Sequence, residues 1–256
     1  MIDTHVHLTD EKFENITQDV VARFKQAGVT RVVNVGYDSE SSRLGKKLSD
    51  EYDGVYFSAG VHPDKEFTVT DDAIRELKEL SKNEKCVAIG EIGLDYHFEP
   101  FSKEGQKRAF EKQIELACET GLPIIVHNRD SAKDLSEIIK SNKNLLKAGG
   151  VMHCFSGSKE TAKEYLDMGF YISFSGVVTF KNARNLLEVA SFVPSDGYLA
   201  ETDCPYMAPE PMRGKVNEPS FVKYVYEKLA YLRGVDFKTV EKEVEENAKR
   251  LFFRIR

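Results

Sequence analysis

Five of the chain's six histidines, together with Glu91 and Asp203, stand where apolar runs end. The first run, Met1-Ile2-Asp3-Thr4-His5-Val6-His7, carries two histidines at a spacing of two, so in a strand both imidazoles leave the same face. That face is the inner one if Ile2, Thr4 and Val6 pack outward. His62, Glu91, His127, His153 and Asp203 follow at later runs. A set of imidazole nitrogens and carboxylate oxygens suits Zn²⁺, Mn²⁺ or Fe²⁺ better than Ca²⁺. Six ligands exceed what one catalytic tetrahedral ion uses when a position stays open for water. Two divalent ions (Zn²⁺, Mn²⁺, Mg²⁺ or Fe²⁺) sharing one carboxylate fit better. The expected assignment is His5, His7 and Asp203 on one ion, His127 and His153 on the other, and Glu91 bridging. Such a pair, roughly 3.5–4 Å apart, can hold a hydroxide and brace both oxygens of a displacement at phosphorus.

The elements that must carry these residues are legible as eight β-type runs. They are Met1–His7, Thr30–Tyr37, Gly54–Val61, Cys86–Glu91, Leu122–His127, Val151–Phe155, Phe170–Ser175 and Tyr198–Asp203. Most are near-continuously apolar, as parallel strands buried on both faces are. Amphipathic, helix-length segments lie between them. Phe13, Ile16, Val20, Val21 and Phe24 form one stripe, and Phe110, Ile114 and Ala117 another. Ala27-Gly28, Thr120-Gly121, Ala148-Gly149 and Met168-Gly169 each precede a strand, where glycine suits the residue that ends a helix. Thr70 reads as an N-cap with Asp71 and Asp72 in the first turn. Lys238–Phe252 is expected to form a last helix outside.

Eight alternations without a linker predict an α/β fold, a single (β/α)8 TIM barrel over residues 1–256. An open doubly wound sheet lacks support, because no G-x-G-x-x-G turn follows a strand. In a barrel of this kind the chemistry sits at the C-terminal strand ends, the rim on which the histidines and acids collect.

A formal charge of −6 argues against a protein that coats nucleic acid by bulk electrostatics. It leaves room for an enzyme that takes one strand end into a metal-lined cleft. Cys86, Cys118, Cys154 and Cys204 are scattered, as reduced thiols of a cytoplasmic protein are. Strand alternation turns Cys154 and Cys204 away from the ligand face. No apolar stretch reaches membrane length, and no secretory signal is expected because ligands begin at residue five.

In order along its whole length, the chain resembles the TatD family of metal-dependent deoxyribonucleases, a branch of the amidohydrolase superfamily. The resemblance rests on Asp3-Thr4-His5-Val6-His7-Leu8, Gly60-Val61-His62-Pro63, Gly90-Glu91-Ile92-Gly93-Leu94-Asp95-Tyr96 and Ile125-Val126-His127-Asn128-Arg129. It continues in His153-Cys154-Phe155-Ser156-Gly157, Glu201-Thr202-Asp203-Cys204-Pro205-Tyr206, Arg213-Gly214-Lys215, Asn217-Glu218-Pro219 and Asn247. It implies a hydrolase with a two-metal centre on the six residues above, cleaving DNA phosphodiesters from a 3′ end. Many related barrels bridge their metals with a lysine, often carboxylated. The fourth-strand position here is Glu91, as in the TatD branch, and none of the six ligands departs from the pattern.

Around the ligands the residues allow further roles. Glu201 and Asp3 lie two residues before Asp203 and His5, deeper on the same face, and are expected to support ligands rather than bind metal. Arg129 can grip a phosphate in bidentate fashion. Arg213 and Lys215 lie in a loop where barrels often hold phosphate. His62 can bond a phosphate oxygen or donate to a leaving group. Asp95-Tyr96-His97 can line the cleft, with Tyr96 stacking on a base.

The expected reaction is hydrolysis of a phosphodiester by a two-metal hydroxide mechanism. Asp203 takes the water's proton, and Arg129, His62 and Arg213 meet the charge building on phosphate oxygens. The expected partner is DNA, single-stranded or at its 3′ ends, with no membrane and a monomer as the simplest state. The same centre can hydrolyse an ester or amide instead, such as an aminoacyl-RNA linkage or a cyclic amide. A non-catalytic metal-binding protein is the third reading, and it would show a filled coordination sphere and no hydrolysis.

Overall fold

Strands rich in Val, Ile, Leu and Phe, buried on both faces, can be satisfied only between a packed interior and a jacket of helices. The computed structural model describes residues 1–97 and 99–256. Its strands are β1 (Ile2–Val6), β2 (Arg31–Asn34), β3 (Val55–Ala59), β4 (Cys86–Asp95), β5 (Ile124–Arg129), β6 (Gly150–Met152), β7 (Phe170–Phe174) and β8 (Tyr198–Ala200). They pair in parallel in sequence order. A parallel bridge from Val6 to Cys204 joins the two ends, with His7 N donating to Cys204 O at 2.8 Å. The result is the expected (β/α)8 barrel.

The helices are α1 (Thr17–Gln26), α2 (Ser39–Glu51), α3 (Asp71–Ser81), α4 (Lys103–Thr120), α5 (Ala132–Ser141), α6 (Lys159–Asp167), α7 (Arg184–Phe192), α8 (Val222–Arg233) and α9 (Phe237–Leu251). Most bury one apolar side, whereas α2 buries Ser41, Ser42, Gly45 and Ser49. In α9 this side is Val240, Val244, Ala248 and Leu251, as the periodicity predicts. Thr70 caps α3 by accepting from Ala73 N, and Gly121 ends α4 at φ 67°. Among the described residues no helix is long and apolar enough to cross a membrane.

Some expectations fail locally. The stripe from Phe13 to Phe24 is not one helix: a 3-10 turn at Glu11–Phe13 is separated from α1 by Asn15, whose φ of 65° no α-helix accommodates. Ile16 is left 40% exposed. The fourth strand does not end at Glu91 but runs on to Asp95, past a register shift against β5 between Ile89 and Ile92.

Several other strands stop earlier than expected, at Asn34, Ala59, Met152 and Ala200. His62, His153 and Asp203 therefore lie one to three residues past the strand ends. There the backbone is free to turn, as the φ of 43° at Cys154 and 56° at Asp203 shows.

Candidate metal centre

β1 brings the first two imidazoles together as its spacing predicts: His5 Nε2 and His7 Nε2 are 3.1 Å apart. Two acids from distant elements meet them. Glu91 Oε2 lies 3.4 Å from His5 Nε2 and 3.7 Å from His7 Nε2. Asp203 Oδ1 lies 3.7 Å and 3.4 Å from the same two atoms. Four tetrahedral donors each about 2.1 Å from a central ion stand roughly 3.4 Å from one another. The spacings here bracket that value, so the donors fit a divalent cation in type and in distance.

The second oxygen of Glu91 faces a different group. Its Oε1 is 2.7 Å from His127 Nδ1 and 3.0 Å from His153 Nε2. His62 Nε2 lies 3.8 Å from the same oxygen, and the His62 ring packs edge-on against His127. One buried carboxylate, 3% exposed, thus divides its oxygens between two sets of histidines. The six expected ligands are brought to one place. Asp203 is anchored by its own backbone, whose N–H donates to His5 O at 2.9 Å across the seam of the barrel.

The opposite ring nitrogens are held unequally. His7 Nδ1 lies 3.1 Å from Val35 O, so its N–H donates there and leaves Nε2 with a lone pair. His153 Nδ1 meets Glu201 Oε1 at 3.2 Å, and His127 Nε2 meets Asp95 Oδ2 at 3.0 Å. Among the described residues, none is a hydrogen-bond partner for the buried His5 Nδ1. Glu201 is itself fixed by Cys154 N and Ser173 Oγ, and Asp3 by the N–H and hydroxyl of Thr202. Both acids therefore brace the centre from beneath, as their sequence positions imply.

Charge in the cluster is tightly coupled in the metal-free protein. Burial pushes Glu91 upward, but the charge of His153 and hydrogen bonds from His127, His153 and His5 hold its carboxyl well below the usual range. Burial also opposes charging His153, yet Glu91 and Glu201 raise it well above an ordinary histidine. Asp203 is lowered against its burial by His7, His153 and His5. His5 is lowered, by burial and by the charge of His153.

Outside the ligands the expected residues divide. Arg129 ends β5, exposed at the rim. Arg213 lies in the loop after β8, its guanidinium 4.2 Å from the Phe180 ring centroid and its Nη1 3.4 Å from Ala208 O. Tyr96 points its hydroxyl to Asp134 on α5 at 2.9 Å, stacks on Phe101 and lies beneath Lys103 Nζ. Those contacts tie its ring to the α4–α5 side rather than to the histidines. Nearer the centre are two tyrosines the sequence reading passed over: Tyr37 and Tyr206, 5.7 Å and 6.1 Å from the His7 ring. Cys154 packs on Ser175 and Met207, and Cys204 is fully buried.

A closed parallel barrel with histidines and carboxylates converging at its C-terminal mouth defines a metal-dependent hydrolase. Residues 2–253 match the family model described as TatD related DNase, and the chain belongs to that family. It is 46% identical over 252 residues to a Bacillus subtilis (strain 168) protein described as the uncharacterized metal-dependent hydrolase YabD, covering 98% of each chain. It is 31% identical to the 3′-5′ ssDNA/RNA exonuclease TatD of Pantoea ananatis (strain LMG 20103), covering 98% of this chain and 99% of that one. The crystal structure of YJJV, a TatD homologue from Escherichia coli K12, superposes with a TM-score of 0.93 at 29% identity. It covers 99% of this chain and 98% of its own.

Proposed function

We propose that this hydrolase is a TatD-type nuclease that removes nucleotides from a 3′ end of single-stranded DNA, using two divalent cations held by His5, His7, Glu91, His127, His153 and Asp203. The observation that carries the reading is the division of Glu91, Oε2 toward His5 and His7 and Oε1 toward His127 and His153. Divalent cations held there would act as Lewis acids on a phosphoryl oxygen and bring the pKa of water to about 7. The exonuclease name of the Pantoea relative supports the substrate class.

The chain's own residues then divide the work. Water adds to phosphorus and the P–O3′ bond breaks, releasing a 5′-mononucleotide and a new 3′ hydroxyl. Asp203, kept ionised at neutral pH, accepts the proton of the attacking water. His62, at the mouth beside Glu91, gives a proton to the leaving oxygen. Arg129 and Arg213, on the rim, meet the non-bridging oxygens as their charge grows. Stacking of a base falls to an aromatic ring at the rim, with Tyr96 the ring expected from the sequence.

A panel tests this. Purified protein with Mg²⁺, Mn²⁺ or Zn²⁺ is offered single-stranded DNA, duplex DNA, aminoacyl-RNA and simple cyclic amides. The expected result is stepwise shortening of single-stranded DNA from its 3′ end. Hydrolysis confined to aminoacyl-RNA or amides would replace the reading with an ester or amide hydrolase.

A further inference from the structure

Asp95 lies four residues after Glu91 on β4, and its carboxylate is fixed at both oxygens. Oδ1 accepts from His97 N at 2.8 Å, while Oδ2 meets His127 Nε2 at 3.0 Å. Its backbone is pinned from α4, because Gln106 Oε1 accepts from Asp95 N at 2.9 Å and Gln106 Nε2 donates to Asp95 O at 2.7 Å. The residue is 6% exposed. An aspartate locked in this way can only accept from His127 Nε2. The proton of the neutral ring must therefore sit on Nε2, which leaves the Nδ1 lone pair aimed at the region shared with Glu91.

The two halves of the centre differ in where their negative charge comes from. The His5–His7 half has two carboxylates in direct reach, Glu91 and Asp203; of its outer ring nitrogens, one faces a backbone carbonyl and the other has no hydrogen-bond partner among the described residues. The His127–His153 half has Glu91 alone, and its outer ring nitrogens face Asp95 and Glu201. We propose that Asp95 is a positioning residue for His127, so that the cation subsite of Glu91, His127 and His153 depends on it while the subsite of His5, His7, Glu91 and Asp203 does not. A carboxylate behind a metal-bound imidazole makes it a stronger donor, and its loss typically costs 10–100-fold in metal affinity.

The inference rests on the reading that cations bind here, and on nothing about the substrate. The test is calorimetric titration of the metal-free full-length protein with Mn²⁺, with bound metal counted by elemental analysis. In Asp95→Asn one of two equivalents is expected to weaken 10–100-fold while the other keeps its affinity. Asp95→Ala is the discriminating companion. An asparagine amide can donate to Nε2 and so favours the proton on Nδ1, the wrong tautomer, whereas alanine imposes neither. Asn is thus expected to be at least as damaging as Ala.

Wild-type affinity in Asp95→Asn with a loss only in Asp95→Ala would show that shape alone matters, and overturn the proposal. Equal weakening of both equivalents would also overturn it. So would loss of a third equivalent with two intact, since His62, Asp95 and His127 would then themselves hold a cation. A readout without any variant is nitrogen-15 NMR of the Zn²⁺-loaded wild type. The proton of His127 is expected on Nε2, and a proton on Nδ1 refutes the assignment. Wild-type protein that takes up no Mn²⁺ would instead sink the metal-centre reading itself.

Discussion

Oε1 of Glu91 stands 2.7 Å from Nδ1 of His127, closer than any other donor in the cluster comes to that carboxylate. Its other oxygen is turned to β1, so this one carboxylate links the two histidine sets. Glu91→Ala is expected to lose at least one metal equivalent per chain on elemental analysis. An unchanged metal content would remove the bridge.

Asp203 is placed to take a proton because the surrounding histidines keep it ionised against its burial. Asp203→Asn retains its shape and its backbone bond to His5 but cannot accept that proton. Turnover should fall about 10²–10⁴-fold, the usual weight of a general base, with the melting temperature of the metal-free protein little changed. Undiminished turnover in contaminant-free protein would exclude the role.

The metal-free cluster stores protons that a cation must displace. His153 is raised well above its ordinary 6.5, so the stability its charged form contributes is complete below about pH 6.5 and is lost as pH rises through the folded value. Glu91 runs the other way: held low, it contributes above its ordinary 4.5 and ceases to as pH falls through its depressed value. Cation binding requires the neutral imidazole. Mn²⁺ affinity should therefore rise with pH above 6.5, and binding should release protons, seen as a dependence of the calorimetric heat on buffer ionisation. A heat independent of buffer would contradict this.

Gly93 lies between the two acids of β4 at φ 142°, and a Cβ there would strike the carbonyl oxygen of His127. Gly93→Ala should cost about 1–3 kcal/mol in urea unfolding from the backbone conformation alone. It should also weaken metal uptake, because the collision falls on the residue that carries a ligand. Wild-type stability would show that β4 relaxes without penalty.

The barrel and the convergence of its six candidate ligands were readable because each signal is local: an apolar run, then a histidine or acid at its end. Asp95 was legible as a residue that can line the cleft but not as the partner of His127 Nε2, although a strand places residues four apart on one face. The expected run ends at Glu91, so the continuation of β4 that brings Asp95 beside His127 carried no signal of its own. Tyr96 illustrates a different limit. Its direction is set by Asp134, far along the chain on α5, and no spacing rule reports that partner. Tyr37 closes an expected strand and Tyr206 a quoted motif, yet neither signals a place at the site, because only the closed cylinder brings them beside His7.

The bond from Asp203 N to His5 O crosses the join between the chain's earliest and latest strands. A cation gripped by His5, His7 and Asp203 would fasten that join like a clasp, tying the start of the polypeptide to its last barrel segment. Stripping the ion should thus loosen the cylinder first along this line, and amide exchange of β1 and β8 is where the slackening would be felt.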